Sequence, residues 1–266
     1  MKPYYDKNGI TIYHGDCLKV MPKLEGLFDA LISDWPYGTT ANAWDKMIPL
    51  APLWSQVLRL IKRNGAIMAT AKEPFTSKVI LSQEELFRYR WTWRKNSVTR
   101  WLDSANRPLD DYEDIPVFYR REPTWNPQMT KGAPNHTRNA QAGKVNNGNY
   151  GDHKTTKGKV TTDKHPRLVI DFDVVPPSES LHKVQKPEPL FAYLIRTYTN
   201  PGEIVLDNTA GVGTTLVAAQ NEGRRAVGAE ISEEYCRIAV DRLRQLSFFS
   251  LPSPPKKDSE QLKMFD

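Results

Sequence analysis

The sequence predicts an α/β fold built on a mostly parallel sheet, and three observations predict it. Short apolar runs of strand length alternate with stretches of helical periodicity. Two of those runs pass directly into loops rich in Asp, Gly and Pro, at 34–38 and 207–213. In open α/β sheets such loops lie at the carboxyl edge, where ligands bind. Finally, 266 residues with 39% hydrophobic content suffice for one large core carrying an insertion.

The elements follow in order. Ile10–Tyr13 is a β-branched and aromatic strand that ends at Gly15-Asp16, and Cys17–Leu24 has room for one or two helical turns. Phe28–Ser33 is a buried strand leading into Asp34-Trp35-Pro36-Tyr37-Gly38. Leu50–Lys62 carries leucines, Trp54 and Val57 at helical spacing, with Asn64-Gly65 as its expected stop and Ala66–Ala71 as the next strand. Phe87–Lys95 and Asp114–Arg120 are strands flanking a polar stretch that holds Asp103, Asp110 and Asp111. Regular structure stops at 121 and resumes at Leu168–Phe172. Pro187–Tyr198 is a helix with proline at an early position, and Asn200-Pro201-Gly202 is a turn. Glu203–Leu206 is a strand, Asp207–Gly213 a glycine loop, Thr214–Gln220 a helix and Arg225–Ala229 a strand ending at Glu230. Ser232 caps a final helix through Leu243, whose positive end suits Glu233 and Glu234.

Charge is uneven. The chain carries a formal +6. Residues 120–167 hold ten Lys/Arg against three acids, so the rest is near neutral. This segment is rich in Asn, Gly, Thr and Lys and has little core-forming capacity, which fits either a disordered insertion or one that contacts a polyanion. Lys131, Arg138, Lys144, Lys154, Lys157 and Lys159 are its candidate DNA contacts. These shifts divide the chain into 1–120, an insertion at 121–168, 169–245 and a flexible tail at 246–266.

Several classes are disfavoured. No apolar run is long enough to span a bilayer, and the N-terminal stretch lacks the apolar core of a secretion signal. Cys17 and Cys236 show no metal-ligand spacing, so no metal is expected and a reducing, cytoplasmic setting fits.

Chemistry concentrates in two places. In IVLDNTAGVGTTLVAAQNEGRRAVGAEIS a strand feeds a loop with Gly211 and Gly213, a helix starts at Thr214, and a second strand ends in Glu230. That is a nucleoside-cofactor pattern, with Glu230 placed to accept a ribose diol. The third glycine of the dinucleotide fingerprint is absent because position 216 is Leu, which argues against a nicotinamide cofactor. The second place is Asp34-Trp35-Pro36-Tyr37. An acceptor, a fixed kink and an aromatic face within four residues suit a planar base bearing an amino group. Alone, each segment also reads as an ordinary tight turn.

Together the segments resemble the amino-methyltransferase family of DNA modification enzymes, with its D/N/S-P-P-Y/F tetrapeptide and glycine-rich cofactor loop. GDCLKVMPKL at 15–24 resembles the segment ahead of the catalytic loop, and HKVQKPEPLFAYLIRTYTNPGEIVLDNTAGVGTT at 182–215 resembles the helix running into the cofactor loop. The order, with the catalytic loop first, a basic insertion next and the cofactor loop last, matches the β subgroup, which implies 1–120 as the catalytic half, 121–168 as a target-recognition insertion and 169–245 as the cofactor-binding half. The resemblance implies a Rossmann-like S-adenosylmethionine-dependent methyltransferase fold: a mostly parallel seven-stranded sheet with an antiparallel strand, permuted motif order and a small basic insertion. It also implies double-stranded DNA as partner and adenine N6 as preferred target, since the tetrapeptide begins with Asp. Cytosine N4, or a non-catalytic DNA-binding relative, is the alternative. Asp34 and the Trp35 carbonyl would accept the amine hydrogens, Pro36 would stiffen the loop and Tyr37 would stack on the base. Asp16 would meet the cofactor's adenine, Glu230 its ribose, and Asp207 and Lys186 its methionine end, with Gly211, Gly213 and Thr214 forming the cradle. Two departures stand out. Trp35 replaces proline, and the cofactor loop reads D-N-T-A-G-V-G where D-P-F-x-G-S-G is usual.

Two further expectations concern partners. Gln261-Leu262-Lys263-Met264-Phe265 resembles a peptide that docks on bacterial sliding clamps. Homodimerisation is left open.

Overall fold

The computed structural model describes residues 1–40, 42, 45–134, 143–147, 151–155, 161–181 and 185–249. The chain begins with β1 (Tyr5–Lys7) and β2 (Ile10–His14), then α1 (Cys17–Val20), β3 (Phe28–Asp34), α2 (Leu50–Leu60), β4 (Ile61–Thr70) and α3 (Phe75–Ser82). It continues with β5 (Phe87–Thr99), β6 (Asp110–Phe118), β7 (Thr130–Lys131), β8 (Gly143–Asn147), β9 (Gly151–Thr155), β10 (Asp163–Lys164) and β11 (Val169–Asp171). It closes with α4 (Glu188–Tyr198), β12 (Ile204–Asp207), α5 (Thr214–Asn221), β13 (Arg225–Glu230) and α6 (Glu233–Phe249).

The main sheet runs β1-β2-β13-β12-β3-β4-β6-β5-β11. The strands from β2 to β5 make the expected seven-stranded sheet, with β6 antiparallel to both its neighbours. Two short edge strands bring the total to nine: β1 was not anticipated, and β11 lies within Leu168–Phe172, where regular structure was expected to resume. The antiparallel pair β7–β10 and the hairpin β8–β9 lie within 121–168.

The decisive feature is the pairing of β12 with β3, Val205 beside Ala30 and Leu206 beside Leu31. From β3 the chain winds one way across the sheet, and from β12 it winds the other. The boundary between them is therefore the topological switch point, where such sheets open a crevice at their carboxyl ends. Asp34 ends β3 and Asp207 ends β12.

Strand alternation splits the core into two layers. Ala30, Ile32, Ala66 and Met68 face α4, α5 and α6, whereas Leu31, Ile67 and Ala69 face α1, α2 and α3. Helix α2 buries Leu53, Trp54, Val57 and Leu60, the spacing of a one-sided apolar stripe. Each large buried side chain of this kind contributes about 1.5–3 kcal/mol.

One boundary differs from expectation. Helix α2 stops at Leu60, and Asn64-Gly65 lies inside β4 instead of closing the helix. Ile61 turns extended and packs into the core at 1% exposure. The register then jumps from Phe28–Ile61 to Ala30–Ala66, a bulge held by Lys62 Nζ donating to Asp29 at 2.5 Å. Gly65 sits in that bulge because a Cβ there would lie 2.6 Å from Ile61 Cγ2 and 2.7 Å from the Asp29 carbonyl. Helix α3 also escaped the sequence reading, and α6 continues past Leu243 to Phe249.

The start of the 121–168 segment is built into the body. Trp125 stacks on Trp91 at 6.2 Å and meets Tyr198 edge-on, and the Asn126 amide donates to the Arg196 and Thr199 carbonyls. No described helix is long and apolar enough to cross a membrane.

Candidate active site

Strand β3 delivers Asp34 to the crevice. Its Oδ1 accepts from the Thr70 hydroxyl at the end of β4 and from the Tyr37 hydroxyl at 3.2 Å, and Lys186 Nζ lies 3.3 Å away. The loop beyond is tied down by Asp45. Its two carboxylate oxygens accept from the backbone N–H groups of Gly38, Thr39 and Thr40 at 2.8, 3.0 and 2.7 Å. Burial would raise the Asp45 carboxyl, yet these donors hold it below the usual carboxylate range. Phe75 at the start of α3 stacks against the Tyr37 ring at 5.4 Å. Lys186 lies off the hydroxyl end of that ring, 3.3 Å from the oxygen.

Behind Asp34 stands a buried charge cluster. Glu113, on β6, accepts from Lys186 at 2.9 Å, Lys95 at 2.5 Å and the Tyr37 hydroxyl at 3.0 Å. Burial would raise the Glu113 carboxyl, but Lys186 and Lys95 outweigh it and hold it at about 2. Burial would lower Lys186, but Asp34 and Glu113 hold its ammonium well above the usual lysine range. Asp34 itself is pushed up, by burial first and Glu113 second, against the pull of Lys186. Burial and the same two carboxylates keep Tyr37 protonated, so its hydroxyl donates. Side-chain exposure is 30% for Asp34 but only 9% for Lys186 and 8% for Glu113. Asp34 is therefore the member that faces the crevice.

The second loop rises from β12. Asp207 is buried, accepts from Ser33 Oγ at 2.6 Å and from the Thr209 N–H at 3.1 Å, and has no ion pair among the described residues. Burial pushes its carboxyl up to about 6. Glu230 ends β13 and accepts from the N–H groups of Gly211 and Ser232, both at 2.7 Å. Space above Gly211 is open, since a Cβ there would meet nothing within 4 Å. Asp16 lies just past the end of β2, where His14 pairs with Glu230 and the Gly15 N–H donates to the Glu230 carbonyl at 2.7 Å, and one Asp16 oxygen caps α1. The Thr214 hydroxyl accepts from Arg242 at 3.3 Å.

The two loops are joined. Ser33 Oγ and Thr209 Oγ1 lie 2.8 Å apart, and Thr209 Oγ1 donates to the Asp34 carbonyl at 2.9 Å. Trp35 points down into the core beside Trp54, and its indole N–H donates to Asn208 Oδ1 at 2.8 Å.

Thus Asp34, Trp35, Tyr37, Lys186 and Asp207 converge at one sheet edge, with Gly211, Gly213, Glu230 and Asp16 along the adjoining β13–β2 side. Of the basic candidates, Lys131 is exposed and paired with Asp163. Lys144 and Lys154 occupy directly opposed positions of the β8–β9 hairpin. Arg138, Lys157, Lys159 and the 261–265 peptide lie outside the described residues.

The N6/N4 methyltransferase family model, described as DNA methylase, matches residues 2–241. The chain belongs to the N6/N4 DNA methylase family. This methylase is 28% identical over 272 residues to the DNA adenine methyltransferase YhdJ of Escherichia coli strain K12, covering 90% of this chain and 84% of that one. Among solved structures, the M1.HpyAVI–SAM complex matches with a TM-score of 0.60 at 23% identity, over 88% of this chain and 100% of the other. The cytosine-N4-specific PvuII DNA methyltransferase matches with a TM-score of 0.64 at 15% identity, over 91% and 88%.

The sequence reading did not single out Glu113, Lys95, Thr70, Asp45 and Phe75 of this candidate site. The one available signal was the acid pair Glu113-Asp114 ahead of the apolar run IPVF. Gly213 is the most constrained position of the cofactor loop, with φ +80° and a Cβ site 2.7 Å from Ala239 Cβ. Gly213→Ala is expected to cost about 2–4 kcal/mol from backbone strain and overpacking. A thermal melt should show a midpoint lower by about 5–10 °C. An unchanged midpoint would contradict the packing of α5 on α6.

Proposed function

We propose that this DNA methyltransferase moves a methyl group from S-adenosylmethionine to the exocyclic amine of a base in duplex DNA. Adenine N6 is the preferred target and cytosine N4 the alternative. The observation that carries this reading is the side-by-side placement of Asp34 and Asp207 at the ends of β3 and β12, bridged by Ser33 and Thr209.

The residues fit the cofactor. S-adenosylmethionine carries a sulfonium and an ammonium, and the crevice is bordered by Asp34, Asp207 and Glu230. Asp207, buried without a cation among the described residues, suits the ammonium. Glu230 keeps lone pairs for the ribose diol beyond the two N–H groups it accepts, and Asp16 lies on the adenine side. When bound, the cofactor supplies an electrophilic methyl group on positively charged sulfur.

The base, turned out of the duplex, lies against Tyr37, whose ring is braced from behind by Phe75. Its amine is a poor nucleophile because the lone pair is delocalised into the ring. Asp34 carboxylate and the Trp35 carbonyl accept the two amine hydrogens and turn the lone pair toward the methyl group. Asp34 then takes the proton that the methylated nitrogen loses. Lys186 and Tyr37 fix the Asp34 carboxylate and Pro36 limits the loop's freedom, so positioning supplies much of the acceleration. The basic candidates Lys131, Arg138, Lys144, Lys154, Lys157 and Lys159 neutralise backbone phosphates.

Adenine is preferred because the tetrapeptide begins with Asp and because YhdJ is a DNA adenine methyltransferase. The fold itself does not separate the two targets, since the PvuII enzyme shares it. Duplex DNA methylated by the protein and digested to nucleosides should contain N6-methyladenine. N4-methylcytosine would select the alternative, and 5-methylcytosine would refute the amine mechanism.

The Asp207 carboxyl makes a separate prediction. Burial holds its folded value at about 6, above the ordinary aspartate value of 3.8. The stability linked to this group is therefore full below about pH 4, falls as pH rises, and is lost once pH passes about 6. Asp207→Asn removes that penalty. It should raise the melting point of the ligand-free protein at pH 8 by about 2–5 °C, and not at pH 4. The same variant should bind S-adenosylmethionine at least about tenfold more weakly. In the wild type that affinity should fall as pH drops through 6. Unchanged affinity in the variant would remove Asp207 from the cofactor site.

A further inference from the structure

Trp35 and Asn208 occupy the positions at which the two loops depart from their usual proline. In this fold the two departures are partners. The Trp35 indole N–H donates to Asn208 Oδ1 at 2.8 Å, and both residues are 1% exposed. Two prolines could not make this bond, because proline has neither a side-chain donor nor a side-chain acceptor. The third departure, Thr209, adds the hydroxyl bond to the Asp34 carbonyl. Buried side chains at 35 and 208 cannot reach a ligand in the crevice, so their effect on chemistry must pass through the backbone they hold. Trp35 is anchored in turn by Trp54, edge-on at 5.6 Å, so this is a fixed point and not a swinging side chain.

We propose that Trp35 and Asn208 form a positioning pair that locks the amine-binding loop 34–37 to the cofactor loop 207–213. Cofactor binding and alignment of the Trp35 carbonyl and Asp34 are then one coupled event. Where prolines would stiffen each loop separately, this chain stiffens them against each other.

The inference rests on loop 34–37 binding the amine, and the test separates the two ideas. The full-length protein is compared with Trp35→Phe, Asn208→Ala and the double variant. S-adenosylmethionine Kd and kcat on duplex DNA at saturating cofactor are measured for each. Each single variant should lower kcat about tenfold and weaken cofactor binding several-fold, the scale of one buried acceptor or donor left unpaired. The double variant should be no worse than either single one, since both break the same bond. A merely structural role would lower the melting point and leave kcat of the folded protein unchanged, and that result overturns the proposal. Losses that multiply in the double variant overturn it too. Should Asn208→Ala fail to fold, Trp35→Phe and the shape-preserving Thr209→Val give the same kcat-against-Kd readout. A wild-type protein that binds no S-adenosylmethionine would sink the reading of the site itself, whereas normal wild-type binding with unaltered variants sinks only the clasp.

Discussion

Asp34→Ala should lower the single-turnover rate of methyl transfer by about 10²- to 10³-fold while S-adenosylmethionine still binds. The carboxylate acts where positive charge develops on the amine nitrogen, and removing one such group from a water-excluded site costs on that scale. Cofactor binding survives because the groups proposed to hold it, Asp207, Glu230 and the Gly211 backbone, are fixed by their own hydrogen bonds and not by Asp34. Asp34→Asn keeps the shape and one acceptor. Its amide can turn a donor toward Lys186 or the base, so it too should be slow. Equal losses in kcat and cofactor affinity would mean that Asp34 shapes the pocket instead of polarising the amine.

Lys186→Met should be the most damaging single change for stability. The ammonium bridges Asp34 and Glu113 at 3.3 and 2.9 Å and is 9% exposed. Its loss leaves two neighbouring carboxylates with Lys95 alone, and breaking a buried pair from one side costs about 3–5 kcal/mol. The melting point should fall by about 10 °C. The pH dependence follows from the shifts. Lys186 is raised, so its contribution is full below the ordinary lysine value and is lost only as pH rises beyond it. Glu113 is lowered to about 2, so its contribution is present above its ordinary 4.5 and is lost as pH falls through 2. The gap between wild type and variant should be widest between those limits and narrow in acid. Without Lys186 the Asp34 carboxyl should rise further, moving the acid limb of the pH–rate profile to higher pH. A variant with wild-type stability and an unmoved acid limb would contradict the charge cluster.

The site residues legible in the sequence were those whose chemistry is local. Asp34-Trp35-Pro36-Tyr37 and Asp207–Gly213 are contiguous strings following apolar strands, and the strand–loop–helix rhythm placed both at a sheet edge. The resemblance implied a mostly parallel sheet, and the order β2, β13, β12, β3, β4 found within it is what brings the strings together. What could not be read was contact between remote strands. Glu113 and Lys95 sit on β6 and β5, where a charged residue looks like the solvent-facing half of an alternating strand. Only the antiparallel pairing of those strands next to β4 shows that Glu113 turns inward to meet Lys186 and that Lys95 reaches the same carboxylate. Lys186 was assigned from the resemblance to the cofactor's methionine end, while in the fold its ammonium is engaged by Asp34, Glu113 and Tyr37. Trp35 was assigned a role through its backbone carbonyl alone. Its partner Asn208 is 173 positions away in the chain, and no local pattern links the two. Helix α3 was missed because its buried set, Phe75, Thr76 and Val79, is too short for helical periodicity to stand out.

The central claim is geometric: an amine held by Asp34 and the Trp35 carbonyl faces the methyl donor seated on the Asp207–Gly213 loop. A crystal structure of the protein with duplex DNA and a non-transferable amine analogue of S-adenosylmethionine tests it most directly. The target base should lie outside the helix against Tyr37, with its exocyclic nitrogen about 3 Å from both an Asp34 oxygen and the Trp35 carbonyl. A base left stacked in the duplex, or an analogue bound away from the β3–β12 crevice, would contradict the account.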